Sequence, residues 1–407
     1  MRPPTFTSRL LVLGVFLPSL TLTGGWAGPT PAAIVPGAVK NANQNGIQRM
    51  TSSSASHRSL DRQPAIQEGG LGNGHLLIGY WQNFTNEAPP VTLGQVSPQF
   101  DIINVAFGTP AQGSTATITF VVDPELESKR QFKADVAALH RAGKKVVLSI
   151  GGASATVQLN NAADVSAFVS SVESIVKHFS FDGIDIDFEG GSLTLNSGDA
   201  DFKNPTTPAV VNLIQALHRL NKKLGSNFII SFAPETLFVQ AAVTGYGGQR
   251  GCYLPVIFGT QKFLSYVQTQ DYNSGTIRGL DGNIYTGGTP DFHVALTEFL
   301  LHGFNVAGDP SQAFPALRPG QVAFGAPASP QGASTSPPSY TTPTDIQNAL
   351  NYLVTGVPFP GHQYTLINPA GYPDMRGLMT WSINWDLSDG QTLSSQLGPF
   401  LHSLGSQ

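Results

Sequence analysis

The stretch "FDGIDIDFE", residues 181–189, carries four acidic residues whose neighbours are small or apolar. Side chains on an extended strand alternate between two faces, so Asp185, Asp187 and Glu189 share one face and the apolar side chains share the other. Successive acids on that face lie about 6.5 Å apart. This pattern predicts a strand that packs through one face and presents a line of carboxyl groups on the other.

Eight apolar runs of strand length alternate with amphipathic segments of helical period from His75 onward. The predicted strands start at residues 75, 101, 144, 181, 227, 263, 320 and 376, and the predicted helices at residues 130, 163, 208, 291, 344 and 394. Near-continuous runs of Val, Ile and Leu are typical of parallel strands covered on both faces. Eight of them predict an α/β fold, a (β/α)8 TIM barrel, as a single catalytic domain over residues 74–407. The main alternative, an open doubly wound sheet, is disfavoured because "GYWQNF" after the first strand lacks the GxGxxG glycines.

The N-terminal residues 1–27 have the pattern of a signal peptide. Arg2 and Arg9 flank the start of an apolar core, "LLVLGVFLPSLTL", and a small-residue sequence ends at Ala27. The core is shorter than the roughly 20 apolar residues of a bilayer span, so we expect secretion to the extracellular space and no membrane span. Residues 28–73 lack apolar periodicity and are rich in Asn, Ser, Gln and Gly, which predicts a disordered linker or propeptide.

Charge and cysteine content exclude several classes of function. Only 12% of the 407 residues are charged and the net charge is -4, whereas soluble domains average about 25% charged residues. This composition argues against nucleic-acid binding. Cys252 is the only cysteine, so neither an intramolecular disulfide nor a CxxC metal site is available. Nothing in the sequence specifies an oligomer, and we expect a monomer.

The line of acids is best explained by catalysis. In a barrel, Glu189 would lie at the C-terminal mouth, where barrel enzymes carry their active sites. Three ionised carboxylates cannot stay close in a partly desolvated site, so at least one should keep a proton near neutral pH and act as a general acid. We expect Asp182, at the start of the strand, to be structural.

Metal binding and a purely structural role explain these acids less well than catalysis does. A calcium loop needs flexible polar residues where this strand has Ile184 and Ile186. A transition-metal site favours histidine, and none of the nine histidines is close in sequence. A structural stripe would bury carboxylates although the strand offers no Lys or Arg partner. We therefore expect no metal and no cofactor.

Several segments together resemble the family 18 glycoside hydrolases, the chitinases and their relatives. "FDGIDIDFE" resembles the DxxDxDxE signature, "LSIGG" (residues 148–152) the SxGG segment of the third strand, and "VQTQDYN" (residues 267–273) the sixth-strand segment. "MTWSINWD" (residues 379–386) is similar to the eighth-strand Trp segment, and "GYWQNF" and "INVAFG" to first- and second-strand segments. The resemblance extends from about residue 75 to the C-terminus in the expected order of strands.

The resemblance implies a role for each matching residue. Glu189 would protonate the glycosidic oxygen, and Asp187 would move between Asp185 and the N-acetyl group of the substrate, orienting that group as an internal nucleophile. Tyr272 would donate a hydrogen bond to the acetamido oxygen. Substrate-binding residues would be Tyr80, Phe107, Gln270, Asn273 and Trp381, with the Trp381 ring as the apolar floor under the sugar.

Two features resemble the small bacterial and plant class III branch of this family. Gln270 and Asn273 form a Q-x-Y-N pattern, and only about 50 residues separate the seventh and eighth strands. The α+β insertion that walls the groove of many processive members is therefore expected to be absent, which implies an open cleft and cutting within chains. Glu235, in "APETLFVQ" after the fifth strand, is expected near the cleft with no assigned role.

The resemblance implies a secreted chitinase that hydrolyses β-1,4 bonds between N-acetylglucosamine units with retention, by substrate-assisted catalysis. Its partners would be chitin or N-acetylglucosamine oligomers. Two alternatives stay open: an endo-β-N-acetylglucosaminidase that acts on N-glycans, and a non-catalytic sugar-binding barrel. The second is disfavoured because Asp185, Asp187, Glu189 and Tyr272 are all present, whereas such barrels usually lose the acid or its partner.

Overall fold

The computed structural model describes residues 71–72, 74–336 and 338–404, all within one compact unit, Gln63–Gln407. The expected signal peptide, and the expected linker apart from Leu71 and Gly72, lie outside the described residues. Leu71 is buried against the side chains inside the barrel, and Gly72 accepts a hydrogen bond from Arg376 at 2.8 Å. These two residues already belong to the folded domain.

Eight parallel strands form a closed barrel. They are β1 (Leu76–Gln82), β2 (Ile102–Pro110), β3 (Lys145–Gly151), β4 (Gly183–Asp187), β5 (Ile229–Phe232), β6 (Tyr266–Gln270), β7 (Val322–Pro327) and β8 (Gly377–Trp381). Each strand pairs in parallel with the next along the chain, and β1 pairs with both β2 and β8, which closes the sheet. The predicted TIM barrel is confirmed.

Helices surround the barrel in the order expected of this fold. They are α1 (Lys129–Arg141), α2 (Ala162–Phe179), α3 (Pro208–Leu224), α4 (Leu254–Thr260), α5 (Pro290–His302), α6 (Pro343–Thr355), α7 (Ile383–Ser388) and α8 (Thr392–Ser403). Local sequence sets their ends: Asn161 caps α2 through its side chain, and Gly225 and Gly303 end α3 and α5 with positive φ angles of 92° and 84°.

Sequence periodicity did not predict α4 and α7, because seven and six residues are too few to show a helical period. Three short antiparallel pairings were also missed: Ile118–Thr119 with the end of β2, Thr276–Arg278 with Ile284–Thr286, and Gly303–Asn305 with Ala313–Pro315. Between β7 and β8, the described residues form α6 and a 3-10 turn, Pro330–Gly332, without a further sheet. The cleft on this side therefore has no α+β wall within the described range.

Two hydrophobic clusters hold the barrel together. The larger lies between the strands and the helices. The smaller lies inside the barrel and includes Ile78, Tyr80, Tyr266 and Met379. Polar side chains of β3 to β6 lie next to the inner cluster and contact Asp185. The acidic face of β4 therefore lies in the barrel interior.

Candidate active site

Asp185 is fully buried and accepts hydrogen bonds from four side chains. The donors are Tyr80 Oη at 2.6 Å, Ser149 Oγ at 2.8 Å, Ser231 Oγ at 2.8 Å and Gln268 Nε2 at 3.0 Å. Burial raises the pKa of Asp185, and these four hydrogen bonds oppose that rise. Four donors suit an ionised carboxylate, since that form only accepts.

Asp187 lies beside Asp185 on the same face of β4 and is turned toward Glu189. The side-chain nitrogen of Gln270 lies 2.9 Å from Asp187 Oδ1 and 3.2 Å from Glu189 Oε1. Burial, and then the charges of Glu189 and Asp185, raise the pKa of Asp187 well above its usual range. A hydrogen bond between the carboxyl groups of Asp187 and Glu189 contributes to this rise, and such a bond needs one proton for the pair.

Glu189 follows the end of β4 and is half-buried at the barrel mouth. Burial raises its pKa, and the hydrogen bonds from Gln270 and Asp187 lower it. Asp187 and Glu189 thus share one proton beside Asp185, whose four donors favour its carboxylate form. The arrangement can deliver a proton to a bound group and then leave a carboxylate behind it.

Tyr272 and Glu235 border these acids. Tyr272 is 9% exposed, and no described residue forms a hydrogen bond with its hydroxyl. Burial and the charges of Asp187 and Glu189 raise the pKa of Tyr272 well above its ordinary value, so the hydroxyl keeps its proton. Glu235 is half-buried, and its backbone forms an isolated parallel β-bridge with the backbone of Gln270, at the ends of β5 and β6. Burial and the charge of Glu189 raise the pKa of Glu235 to about 7.

Aromatic rings lie beside the acids on the β1, β2 and β8 side of the mouth. Trp381 is half-buried, and its ring centroid lies 5.7 Å from that of Tyr80 and 6.0 Å from that of Phe107. The planes of the Trp381 and Phe107 rings are nearly parallel, at 13° to each other. Phe84 extends the group, 6.4 Å from Phe107 at 16°. Gly152 leaves room for Phe107, because a Cβ there would lie 2.7 Å from that ring.

Comparison with known proteins assigns the family. Residues 76–280 match glycosyl hydrolases family 18. The chain is 42% identical over 403 residues to chitinase D of Niallia circulans, covering 99% of this chain and 74% of that protein. The chain belongs to glycosyl hydrolases family 18.

Other relatives of this family 18 protein agree. A chitinase of Paenibacillus xylanexedens is 47% identical over 331 residues, covering 81% of this chain, and the match spans only 62% of that longer protein. The crystal structure of a family 18 chitinase from Chromobacterium violaceum superposes with a TM-score of 0.73 and 36% identity, covering 84% of this chain and 90% of that one. The resemblance seen in the sequence is thereby confirmed.

The structure gives the predicted site residues of this family 18 protein different environments. Asp185, Asp187, Glu189, Gln270 and Tyr272 come together at the mouth. Phe107, Tyr80 and Trp381 form the adjoining aromatic group, although Tyr80 is only 1% exposed and its hydroxyl is directed to Asp185. Asn273 is exposed, and its side-chain oxygen accepts from Ser334 N at 3.0 Å and Ser339 Oγ at 2.8 Å. Its predicted contact with substrate stays a prediction.

Asp182 lies at the opposite end of β4 from Glu189, as its place at the start of the strand predicts. It accepts hydrogen bonds from Val146 N at 2.8 Å and Lys145 Nζ at 3.3 Å, and its Oδ2 lies 2.8 Å from His140 Nε2. These contacts tie β3 and α1 to β4, far along the strand from the shared proton. Asp182 is therefore a structural residue.

Sequence reasoning assigned no role to three donors and one ring of this site. Ser149 and Ser231 face Asp185 because they pair with it in register on β3 and β5. Gln268 lies on β6 two residues beyond Tyr266, the partner of Ser231. Phe84 lies two residues after the end of β1, against Phe107. The strand alternation could have placed Ser149 and Gln268 inside the barrel, but only the register between strands shows that they reach Asp185.

Within the part of the chain that the structure describes, no cluster of three or more His, Cys, Asp or Glu residues is arranged to hold a metal ion. No helix in that part is both long enough and apolar enough to cross a membrane.

Proposed function

We propose that this protein is a chitinase that hydrolyses β-1,4 bonds between N-acetylglucosamine units with retention, using the substrate's acetamido group as the nucleophile. The observation that carries the proposal is the Gln270 amide within hydrogen-bond distance of both Asp187 and Glu189, beside an Asp185 held by four donors. The relatives described above are named chitinases, which supports the same substrate.

In the first step, the one proton shared by Asp187 and Glu189 moves onto Glu189, which gives it to the glycosidic oxygen, so that both residues are left as carboxylates. The acetamido carbonyl oxygen forms a bond to C1 of the sugar as the bond from C1 to the leaving oxygen breaks. Asp187, now a carboxylate, accepts from the acetamido N–H and balances the positive charge on the new ring. The Tyr272 hydroxyl orients the acetamido oxygen, as a fixed donor does in an oxyanion hole.

In the second step, water forms a bond to C1 while the bond from C1 to the acetamido oxygen breaks. Glu189 takes the proton of the water, and the proton returns to the hydrogen bond between Glu189 and Asp187. Each step inverts C1, so the product keeps the original configuration. The aromatic group of Trp381 and Phe107 would support the apolar face of the sugar in both steps.

Glu189→Gln tests the assignment, because the amide keeps the shape of the side chain and cannot donate an acidic proton. We expect kcat on N-acetylglucosamine oligomers to fall by about three orders of magnitude or more, while oligomer binding persists. Glu173→Gln, on the outer face of α2, is the control and should leave kcat unchanged. Unchanged turnover in Glu189→Gln would contradict the proposal.

Comparing substrates separates chitinase from the N-glycan alternative. Both reactions need an N-acetyl group at the cleaved sugar, so the acids alone do not distinguish them. We expect release of oligomers from chitin chains and no deglycosylation of a high-mannose glycoprotein. The reverse pattern would identify an endo-β-N-acetylglucosaminidase on the same catalytic residues.

We also infer that the protein is exported and cuts within chains. The apolar segment "LLVLGVFLPSLTL" in residues 1–27 supports export, and the absence of a further sheet among the described residues between β7 and β8 supports an open cleft. Expression in a secreting host should yield extracellular protein that begins after residue 27. A long soluble chitin derivative should lose viscosity before dimers accumulate, and stepwise release of dimers alone would contradict cutting within chains.

A further inference from the structure

A buried pair of ionisable residues lies directly behind Tyr272. Asp271 separates the end of β6 from Tyr272, and its side chain is fully buried. Thr269 Oγ1 donates to Asp271 Oδ1 at 2.9 Å. On the other side, Asp271 Oδ2 lies 3.6 Å from Nδ1 of His293, which is also fully buried. Neither residue belongs to the group of acids at the mouth.

His293 is fixed by two further elements. Its Nε2 lies 2.8 Å from Thr341 Oγ1, just before α6. Its ring stacks on Phe324 of β7, with ring centroids 4.6 Å apart and an angle of 21° between the planes. The side chains of Thr269, Asp271, His293 and Thr341 thus join the end of β6 to α5 and to the start of α6. Asp271 Oδ2 and His293 Nδ1 have no hydrogen-bond partner among the described residues. Buried polar atoms without such a partner are costly, so the pair needs a reason beyond packing.

The residue on the other side of Tyr272 is fixed as well. Asn273 has a positive φ of 55°, and its side-chain oxygen is held by Ser334 and Ser339. The backbone of Tyr272 is therefore anchored on both sides, while its own hydroxyl has no hydrogen-bond partner among the described residues. The direction of that hydroxyl therefore depends on the packing of the Tyr272 ring in the inner cluster and on the backbone at positions 271 and 273.

We propose that Asp271 and His293 are positioning residues that hold the Tyr272 hydroxyl in the direction that the acetamido group of the substrate requires. The inference rests on the proposed function, because it acts through the role proposed for Tyr272. Asp271 and His293 lie on the outer side of β6, behind the backbone, so neither needs to touch the sugar. Loosening the pair should impair alignment in the reaction more than it impairs binding.

A double-mutant cycle with Tyr272→Phe tests the proposal. Asp271→Asn keeps the size of the side chain and removes its charge. On a 4-nitrophenyl chitobioside, we expect Asp271→Asn to lower kcat about tenfold, part of the loss expected for removing one fixed donor, and to change KM by less than about twofold. In the Tyr272→Phe background the same substitution should lower kcat no further, because the hydroxyl that it positions is already gone.

Each outcome of the cycle has a separate meaning. If Asp271→Asn lowers kcat by the same factor in both backgrounds, or leaves kcat unchanged, the positioning role is overturned and the proposed function is untouched. If Tyr272→Phe by itself leaves kcat unchanged, the role of Tyr272 in the proposed function fails, and the positioning role fails with it.

Two further variants separate positioning from folding. Asp291→Asn is the control: Asp291 is buried two residues before His293 on α5, and it accepts from Gln363 N and Tyr364 N, both at 2.9 Å. It should lower thermal stability and leave kcat per folded molecule unchanged. Thr341→Val removes only the hydroxyl partner of His293. If Asp271→Asn does not fold, Thr341→Val takes its place in the cycle. It should lower kcat in the parent and leave kcat unchanged in the Tyr272→Phe background. An equal loss of kcat in the two backgrounds would overturn the proposal.

Discussion

Replacing Tyr80 by phenylalanine removes a single hydroxyl from the barrel interior and leaves the ring against Phe107 and Trp381. That hydroxyl donates to Asp185 at 2.6 Å, in a site from which solvent is excluded. A hydrogen bond to a buried charged group contributes about 1.5–3 kcal/mol. At about 1.4 kcal/mol per pKa unit, its loss should raise the pKa of Asp185 by about one to two units.

The shift in Asp185 should reach the reaction through Asp187. The negative charge of Asp185 is one of the causes that raise the pKa of Asp187. When Asp185 accepts a proton more readily, Asp187 no longer reliably holds the proton that Glu189 has to deliver. We expect Tyr80→Phe to lower kcat about tenfold, because a pKa change of one unit redistributes the proton by that factor. KM should change little, since the hydroxyl does not face the cleft.

Tyr364→Phe is a matched control. Tyr364 is also buried, and its hydroxyl donates to the buried carboxylate of Glu298 at 2.7 Å, outside the catalytic group. Both variants should lose about 1.5–3 kcal/mol of unfolding free energy in chemical denaturation. Only Tyr80→Phe should lose kcat. Equal kcat values for the two folded variants would refute the dependence of the Asp187 proton on the charge of Asp185.

Two further predictions concern pH. Glu235→Gln removes a carboxyl group whose pKa is raised to about 7. At pH 5 the kcat of this variant should stay within about threefold of the parent, because Glu235 and the glutamine that replaces it are both neutral there. A loss of several orders of magnitude would make Glu235 a nucleophile. Above pH 7 the charge of Glu235 favours protonated Glu189, so in Glu235→Gln the basic limb of the kcat/KM profile should move to lower pH. Burial raises the pKa of Glu127 from 4.5 to about 7. Between these two pH values the folded state therefore binds a proton that the unfolded chain releases. The free energy of unfolding should fall as the pH rises from 4.5 to 7, by up to about 1.4 kcal/mol per pH unit. Chemical denaturation across this pH range should show a smaller fall in unfolding free energy for Glu127→Gln than for the parent. An identical fall would contradict the contribution of Glu127 to the pH dependence of stability.

The sequence was most informative where one strand repeated one chemical pattern. The alternation in β4 was sufficient to place Asp185, Asp187 and Glu189 together, and eight apolar runs were sufficient for the barrel. Helix ends at Gly225 and Gly303 could be predicted because a positive φ favours glycine at those positions.

The parts that sequence reasoning missed depend on contacts between distant segments. Tyr80 was predicted to line the sugar site, but the pairing of β1 with its neighbours turns its hydroxyl toward Asp185 instead of the open cleft. The pair of Asp271 and His293 joins residues 22 positions apart, and nothing in either local pattern indicates that they meet. Helix α4 has only seven residues, so its conformation depends on packing rather than on a visible period.

The central claim is that the acetamido group of the substrate attacks C1, and partially N-acetylated chitosan tests it most directly. If that group is the nucleophile, every sugar at a newly formed reducing end must carry an N-acetyl group, whatever occupies the other positions. Mass spectrometry of the oligomers after labelling of their reducing ends measures this composition. The mechanism predicts N-acetylglucosamine alone at the new reducing ends, and unacetylated glucosamine there in proportion to its content in the polymer would contradict it.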